Sequence, residues 1–300
     1  MESETKWRGK SYGGYFGHKC FYFLFKFFGL RATYGLLIFV ATYFIFFKRG
    51  VYKESASYLR LVVAPKKFTM LFCVYKHIFT FGKTLIDKWV YLYGTGKIKV
   101  DNTESEKIAK KIPVESSLIV VNAHVGGWEL SASQLEKVFK KKAYILGINS
   151  EDENILRALE KDKKENAPEL IAQNKDKIST LNAYALLKKS SIVAMLGDRN
   201  FGGRTGEVIF FGNKIQIPQS PFILAQKANV PIIQIHCMRV KSREYKMYVF
   251  DFSDLSEQGA GIEKYQQRYA DNLEFIVKKY PYQWCNFYDF FESETGKKLD

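Results

Sequence analysis

The chain has 300 residues, 47 % of them apolar, with a mean hydropathy of -0.21. That suffices for one large or two small domains with a buried core, and it excludes both a disordered chain and a polytopic transporter. The balance of 46 Lys and Arg against 31 Asp and Glu leaves a net charge of +15, and it is uneven: residues 1–100 hold 17 basic and 4 acidic side chains, net +13, whereas residues 101–300 hold 29 and 27, net +2. A basic segment attracts nucleic acid or an anionic membrane surface, and its other residues must decide between them.

Residues 15–47 hold 14 of the 48 aromatic residues, and between Cys20 and Phe47 the only charges are Lys26 and Arg31. Side chains that stack on bases are interleaved with many cations. Here Phe21-Tyr22-Phe23-Leu24-Phe25 and Tyr43-Phe44-Ile45-Phe46-Phe47 are nearly continuous apolar blocks. The segment therefore reads as membrane-facing. The run Ala32–Phe47 has 16 residues, short of the ~20 that span a bilayer, so it either recruits flanking residues to span or lies in the headgroup region. Cations on both sides, Lys6, Arg8, Lys10 and Lys19 before and Lys48, Arg49 and Lys53 after, leave orientation open. A late start and the lack of a small-residue cleavage site argue against a signal peptide.

Residues 48–100 carry 11 basic side chains against Glu54 and Asp87, with apolar residues at helical spacing. This pattern predicts amphipathic helices that suit anionic lipid; ordinary helices with a solvated basic face give the same pattern. His18 and His77 fall among these helices. Cys20, Cys73, Cys237 and Cys285 form no CxxC pair and read as buried, reduced thiols of a cytosol-facing protein. The expected division is a membrane-associated helical segment over 1–100 and an α/β domain over 101–300, with polar residues Asp101–Pro113 connecting the two.

From residue 116 short apolar runs alternate with helical patterns, which predicts a mixed, mostly parallel sheet covered by helices. Expected strands are Ser117–Asn122, Ala143–Ile148, Glu169–Ala172, Ser191–Leu196, Val208–Phe211, Pro231–Arg239 and Tyr245–Phe250. Expected helices are Glu129–Lys140, Glu153–Lys164, Thr180–Lys189, Pro221–Lys227 and Ile262–Lys279.

The chemistry concentrates in Val121-Asn122-Ala123-His124-Val125-Gly126-Gly127-Trp128-Glu129, at the end of the first of these strands. The carboxyl edge of a sheet is where α/β proteins expose reactive groups. On a continuous helix, His124 and Glu129 would stand about 140° apart, so they meet only if the chain turns, and Gly126-Gly127 permits that. A carboxylate on one ring nitrogen leaves the other to take a proton from a hydroxyl.

This Asn-x-His-x-Gly-Gly-Trp-Glu run resembles the H-x4-(D/E) signature of the lysophospholipid acyltransferase superfamily, and specifically the lipid A biosynthesis (lauroyl/myristoyl) acyltransferases. Further blocks are similar in the same order: Gly197-Asp198-Arg199, Gly202-Gly203-Arg204, Val208-x-Phe210-Phe211-Gly212, Pro218-x-Ser220-Pro221, and Pro281-x-Gln283-Trp284 with Phe287–Phe291. The resemblance implies a fatty acyl transfer from acyl carrier protein to a hydroxyl of a lipid A precursor at the cytoplasmic face of the cell inner membrane. It also implies His124 as base and Glu129 as its orienting carboxylate. Arg199 or a backbone amide of Gly126-Gly127 would support the oxyanion, Asp198 would pair with and position Arg199, and Arg204 would hold a phosphate. Plainer readings stand beside these: a structural Asp198-Arg199 ion pair, a solvated Arg204, a core histidine at His236 and a core-closing Trp284. The same chemistry also suits a lysophospholipid or amino-acid lipid acceptor, and an inactive membrane-bound lipid-binding protein keeps the fold without it. No cofactor or metal is expected. His124 and Glu129 are two ligands with no third in pattern, and neither a nucleotide loop nor a G-x-S-x-G elbow is present. Nucleic acid is not an expected partner.

Overall fold

The computed structural model describes residues 14–93, 98–147, 169–172, 178–199, 203–285, 287 and 290–291. The expected helix Glu153–Lys164 and Gly202 lie outside them. Every residue of strand β2, Leu118–Asn122, is buried, the pattern of a central strand covered on both faces. Alternate side chains serve the two sides. Ile119 and Val121 join a core with Phe222, Leu224 and Tyr269, while Leu118 and Val120 join one with Leu130, Leu135 and Phe139.

Strands β1 (Lys99–Asp101), β2, β3 (Ala143–Gly147), β4 (Glu169–Ala172), β5 (Ile192–Leu196), β8 (Ile232–Lys241) and β9 (Glu244–Asp251) form one sheet in the order β1-β9-β8-β2-β5-β3-β4. All neighbours are parallel except the β8–β9 hairpin. The expected mixed, mostly parallel sheet covered by helices is therefore met. Between residues 98 and 113 the structure adds two elements to those expected: three-residue β1 is too short to show a period, and the connector at 101–113 contains helix α4, Thr103–Ala109.

Strands β6 (Thr205–Phe210) and β7 (Asn213–Pro218) form a separate antiparallel ribbon. The two-residue turn Phe211-Gly212 joins them, both residues at positive φ, as a tight hairpin turn requires. Only the first of these strands was expected, because Asn213-Lys214-x-Gln216 breaks the apolar run of the second.

Helix α5, Trp128–Phe139, covers one face of the sheet, and α7 (Ser220–Ala228) and α9 (Ile262–Lys279) cover the other. Pro221 stands in the first turn of α7, where its missing N–H costs nothing. In α9, Tyr265, Tyr269, Leu273, Ile276 and Val277 are buried, the i, i+4 stripe of an amphipathic helix. The remaining helices are α6 (Ile178–Leu186) and the short α8 (Ser253–Glu257).

The first third forms α1 (Gly14–Phe47), α2 (Arg49–Val62), a 3-10 turn at Lys67–Thr69 and α3 (Met70–Tyr93). Gly29, at φ 77 and ψ 179, interrupts α1. These helices pack into the sheet domain. Leu37, Ile86 and Val90 share a core with Leu118 and Val120, and Tyr58 and Val74 share the other with Val121 and Trp284. Buried Asp87 on α3 accepts hydrogen bonds from Tyr34 of α1, from Tyr245 of β9 at 2.7 Å and from Arg239 Nε of β8 at 3.0 Å. Two expectations are corrected. Cys20 is exposed, not buried. His77 points inward: its Nε2 donates to the Trp284 carbonyl at 2.8 Å, and its Nδ1 accepts from the Ser55 hydroxyl at 2.8 Å.

Candidate active site

Strands β2 and β5 are parallel neighbours with Asn122 opposite Leu196, so the loops leaving their carboxyl ends start side by side. His124 lies two residues beyond the first strand and Asp198 two beyond the second. Asn122 starts the first loop. Its Oδ1 accepts from Ala123 N at 2.8 Å, and its Nδ2 donates to Ser131 Oγ of α5 at 2.8 Å. The Asn122 carbonyl accepts from Tyr269 Oη at 2.9 Å.

The loop then folds back. Gly126 has φ +59, and a Cβ there would collide with the Cys237 carbonyl oxygen, so only glycine fits without strain. Gly126 N donates to Gln283 O at 2.8 Å, Gly127 N to Cys237 O at 2.7 Å, and Cys285 N to His124 O at 2.8 Å. The C-terminal Gln283-Trp284-Cys285 segment thus fixes the backbone of the histidine loop. Helix α2 in turn holds that segment, through Tyr58 Oη to Pro281 O at 2.6 Å. Trp284 is buried against Tyr58, Phe210 and Phe290, in keeping with a core role.

The carboxylate on the imidazole is Asp198. His124 Nδ1 lies 2.8 Å from Asp198 Oδ1, and His124 N donates to Oδ2 at 3.0 Å. The His124 side chain is 14 % exposed and that of Asp198 is 1 % exposed. Burial on its own would raise the Asp198 pKa, but the charge and hydrogen bonds of His124, with Arg199 beside it, hold the carboxyl well below the usual carboxylate range. An ionised carboxylate only accepts, so Nδ1 carries the proton and Nε2 keeps its lone pair. Burial, opposed by Asp198, lowers the His124 pKa from 6.5, so the ring is neutral at pH 7.

Glu129, expected on the imidazole, sits elsewhere. It occupies the first turn of α5, where a carboxylate favours the helix dipole, and its Oε1 lies 3.4 Å from Lys88 Nζ of α3. Its charge still reaches His124 and, like that of Asp198, opposes the lowering of the ring's pKa by burial. The geometric reason is the parallel register, which sets the Asp198 loop against the ring while α5 carries Glu129 toward α3. Asp198 is accordingly not a dedicated partner of Arg199. The Arg199 guanidinium is largely buried, and its Nη2 donates to Cys285 O at 3.1 Å. The Gly126 and Gly127 amides are both spent on carbonyls, which removes them as oxyanion donors. Arg204 is exposed in the loop immediately before β6. Lys88 had no signal in the sequence beyond membership of a basic helix.

The Cys285 thiol is pushed up by burial and by the Glu129 and Asp198 charges, which disfavours the thiolate a nucleophile needs. His236 is buried on β8, its Nε2 2.8 Å from Gln234 Nε2. Among the described residues no three His, Cys, Asp or Glu side chains gather as a metal site. Behind Trp128 a narrow crevice between α5 and the sheet is lined by Val120, Leu135, Ile145, Ala194 and Leu196.

Fold and site together define a helix-covered α/β protein that presents a neutral, carboxylate-held histidine at the carboxyl edge of a parallel sheet. The model of the bacterial lipid A biosynthesis acyltransferase family matches residues 16–292. The chain belongs to that family and is an acyltransferase. Among curated proteins, no significant match to the chain was found.

Proposed function

We propose that the protein transfers a fatty acyl group from the thioester of acyl carrier protein to a hydroxyl of a lipid A precursor, at the cytoplasmic face of the inner membrane. The observation that carries the chemistry is the Nδ1–Asp198 bond, which leaves Nε2 as the basic atom of a neutral ring. Nε2 takes the proton of the acceptor hydroxyl as its oxygen bonds to the thioester carbon. The resulting oxyanion collapses, the carbon–sulfur bond breaks, and the imidazolium returns the proton to the departing thiolate. No covalent enzyme intermediate is required.

Arg199 supports the oxyanion electrostatically. Its charge is close enough to His124 to depress the ring's pKa, and charge placed in a largely buried site acts strongly on a developing anion. Glu129 works with Asp198 to stabilise the imidazolium, while Lys88 keeps it in place at the site. Arg204 receives a phosphate of the lipid or of the phosphopantetheine arm. The net +13 of residues 1–100 suits both an anionic leaflet and an acidic carrier protein.

The test is acyl transfer by the purified full-length chain, with acyl carrier protein as donor and a panel of lipid A precursor, lysophospholipid and amino-acid lipid acceptors. His124→Ala should lose about 10²–10⁴-fold in kcat. Turnover retained by that variant would refute the mechanism. Transfer to another lipid alone would refute the acceptor and leave the mechanism standing.

A further inference from the structure

Among the described residues, Phe23–Phe47 is the one helical segment long and apolar enough to cross a bilayer. Its surroundings argue that it does not cross. Gly29 breaks it near one end, and residues 30–47 rise only about 27 Å at ~1.5 Å per residue, against a hydrocarbon core of ~30 Å. One face of that stretch is already covered. Thr33, Leu37, Ala41 and Ile45 are buried, at the i, i+4 spacing of a packed stripe.

The covering element is α3, running antiparallel. Tyr34 bonds to Asp87, and Leu37 lies over Gly82. Continuing that register places Phe46 and Phe47 beside the first turn of α3. A span along α1 would draw its partners into hydrocarbon with it. Those partners include Asp87, its bond to Arg239 and the β8–β9 hairpin with Lys241, Arg243 and Lys246 at its turn. Such charged groups do not face lipid.

The opposite side is apolar and open. Phe39, Tyr43, Phe46 and Phe47 project from α1, Phe68, 81 % exposed, from the 3-10 turn that leads into α3, and Phe72, 67 % exposed, from the first turn of α3. Between the two helices, residues 48–67 carry Lys48, Arg49, Lys53, Arg60, Lys66 and Lys67 against Glu54 alone. An aromatic face bordered by cations is complementary to the acyl and phosphate layers of an anionic leaflet.

We infer that the chain is monotopic: the outer face of residues 30–47, the 3-10 turn at Lys67–Thr69 and the first turn of α3 form one insertion surface that enters a single anionic leaflet. This inference rests on the membrane attachment proposed above. It also accounts for the placement of the site, since α3, which forms part of that surface, carries Lys88 to Glu129.

The test combines flotation and sidedness. The purified full-length chain is floated with preformed phosphatidylethanolamine–phosphatidylglycerol vesicles, beside a Phe68→Ser/Phe72→Ser variant. The variant should keep its thermal midpoint, because both side chains are exposed, and should partition on the order of tenfold more weakly. In sealed membranes of either orientation, Cys20 and a Lys48→Cys variant are labelled with an impermeant thiol reagent and the modified peptides mapped by mass. Cys20 reacting from the same side as Lys48→Cys, or only after detergent, upholds the inference. Reaction of the two from opposite sides overturns it while leaving membrane attachment intact. A wild-type chain that does not float overturns both, and a variant that floats like wild type overturns the insertion surface as drawn, by removing the 3-10 turn and the start of α3 from it.

Discussion

His124 and Asp198 are 74 residues apart in the chain and joined twice, side chain to side chain at 2.8 Å and backbone to side chain at 3.0 Å. The second bond matters as much as the first, because it ties Asp198 to the loop that carries the ring. The carboxylate therefore sets both the position of the imidazole and its tautomer. Asp198→Asn should leave the fold intact and lower kcat about 10²–10⁴-fold, the usual contribution of a positioned base. Steady-state kinetics beside a thermal melt check this, and near-normal kcat would remove Asp198 from the mechanism.

The pH profile follows from the same pair. His124 must be neutral to accept a proton, and burial holds its pKa below 6.5 against the opposing pull of Asp198. The acid limb of kcat/KM should therefore lie below pH 6.5. In Asp198→Asn the opposing charge is lost, so the limb should move further to acid. A limb centred above pH 6.5 in the wild type contradicts the assignment.

Gly126→Ala should be costly for two separable reasons. Its φ of +59 is disfavoured for a residue with a side chain, and the added methyl meets the Cys237 carbonyl. Together these should cost about 1–3 kcal/mol, measured by chemical denaturation. A larger proportional loss of activity than of stability is expected, because the displaced loop carries His124.

Stability should fall in mild acid. Burial is the main cause that lowers the pKa of His77 from 6.5 to about 4 and that of His236 to about 3. The unfolded chain takes up these protons near pH 6.5, whereas the folded chain refuses them until far lower pH. Each ring thus contributes stability that is complete above pH 6.5 and is lost as the pH falls toward its folded value. For His77 the loss approaches about 3 kcal/mol. Urea melts from pH 7.5 to 4.5 should show the decline. His77→Gln should be less stable at pH 7.5 and should fall less steeply below 6.5; an unchanged slope would contradict the assignment.

Asp87 joins α1, α3 and the sheet. Asp87→Leu strands Arg239, 11 % exposed, without its partner, and should cost about 3–5 kcal/mol. The double variant Asp87→Leu/Arg239→Met should recover part of that loss. Absence of recovery would mean that the cost comes from the tyrosine hydrogen bonds instead.

Local pattern carried much of this protein in its sequence. The apolar runs at 118–122 and 192–196, the amphipathic period of 262–279, the turn-permitting Gly126-Gly127 and the aromatic, basic first third all depend on neighbours within a few residues, where periodicity and steric preference act directly. His124 was legible for the same reason, as a polar residue after a buried strand. Its carboxylate was not. Glu129 was favoured by proximity in the chain, whereas Asp198 reaches the ring only because β5 lies beside β2 in parallel register, and strand order is settled by packing across the whole sheet. The same holds for His77, which sequence neighbours place on a basic helix and tertiary contacts turn inward to Trp284. It holds again for α1, whose composition suits a membrane span but whose partner, α3, covers one face and leaves the other open. Composition measures how apolar a segment is; the elements packed against it decide which side of it remains exposed.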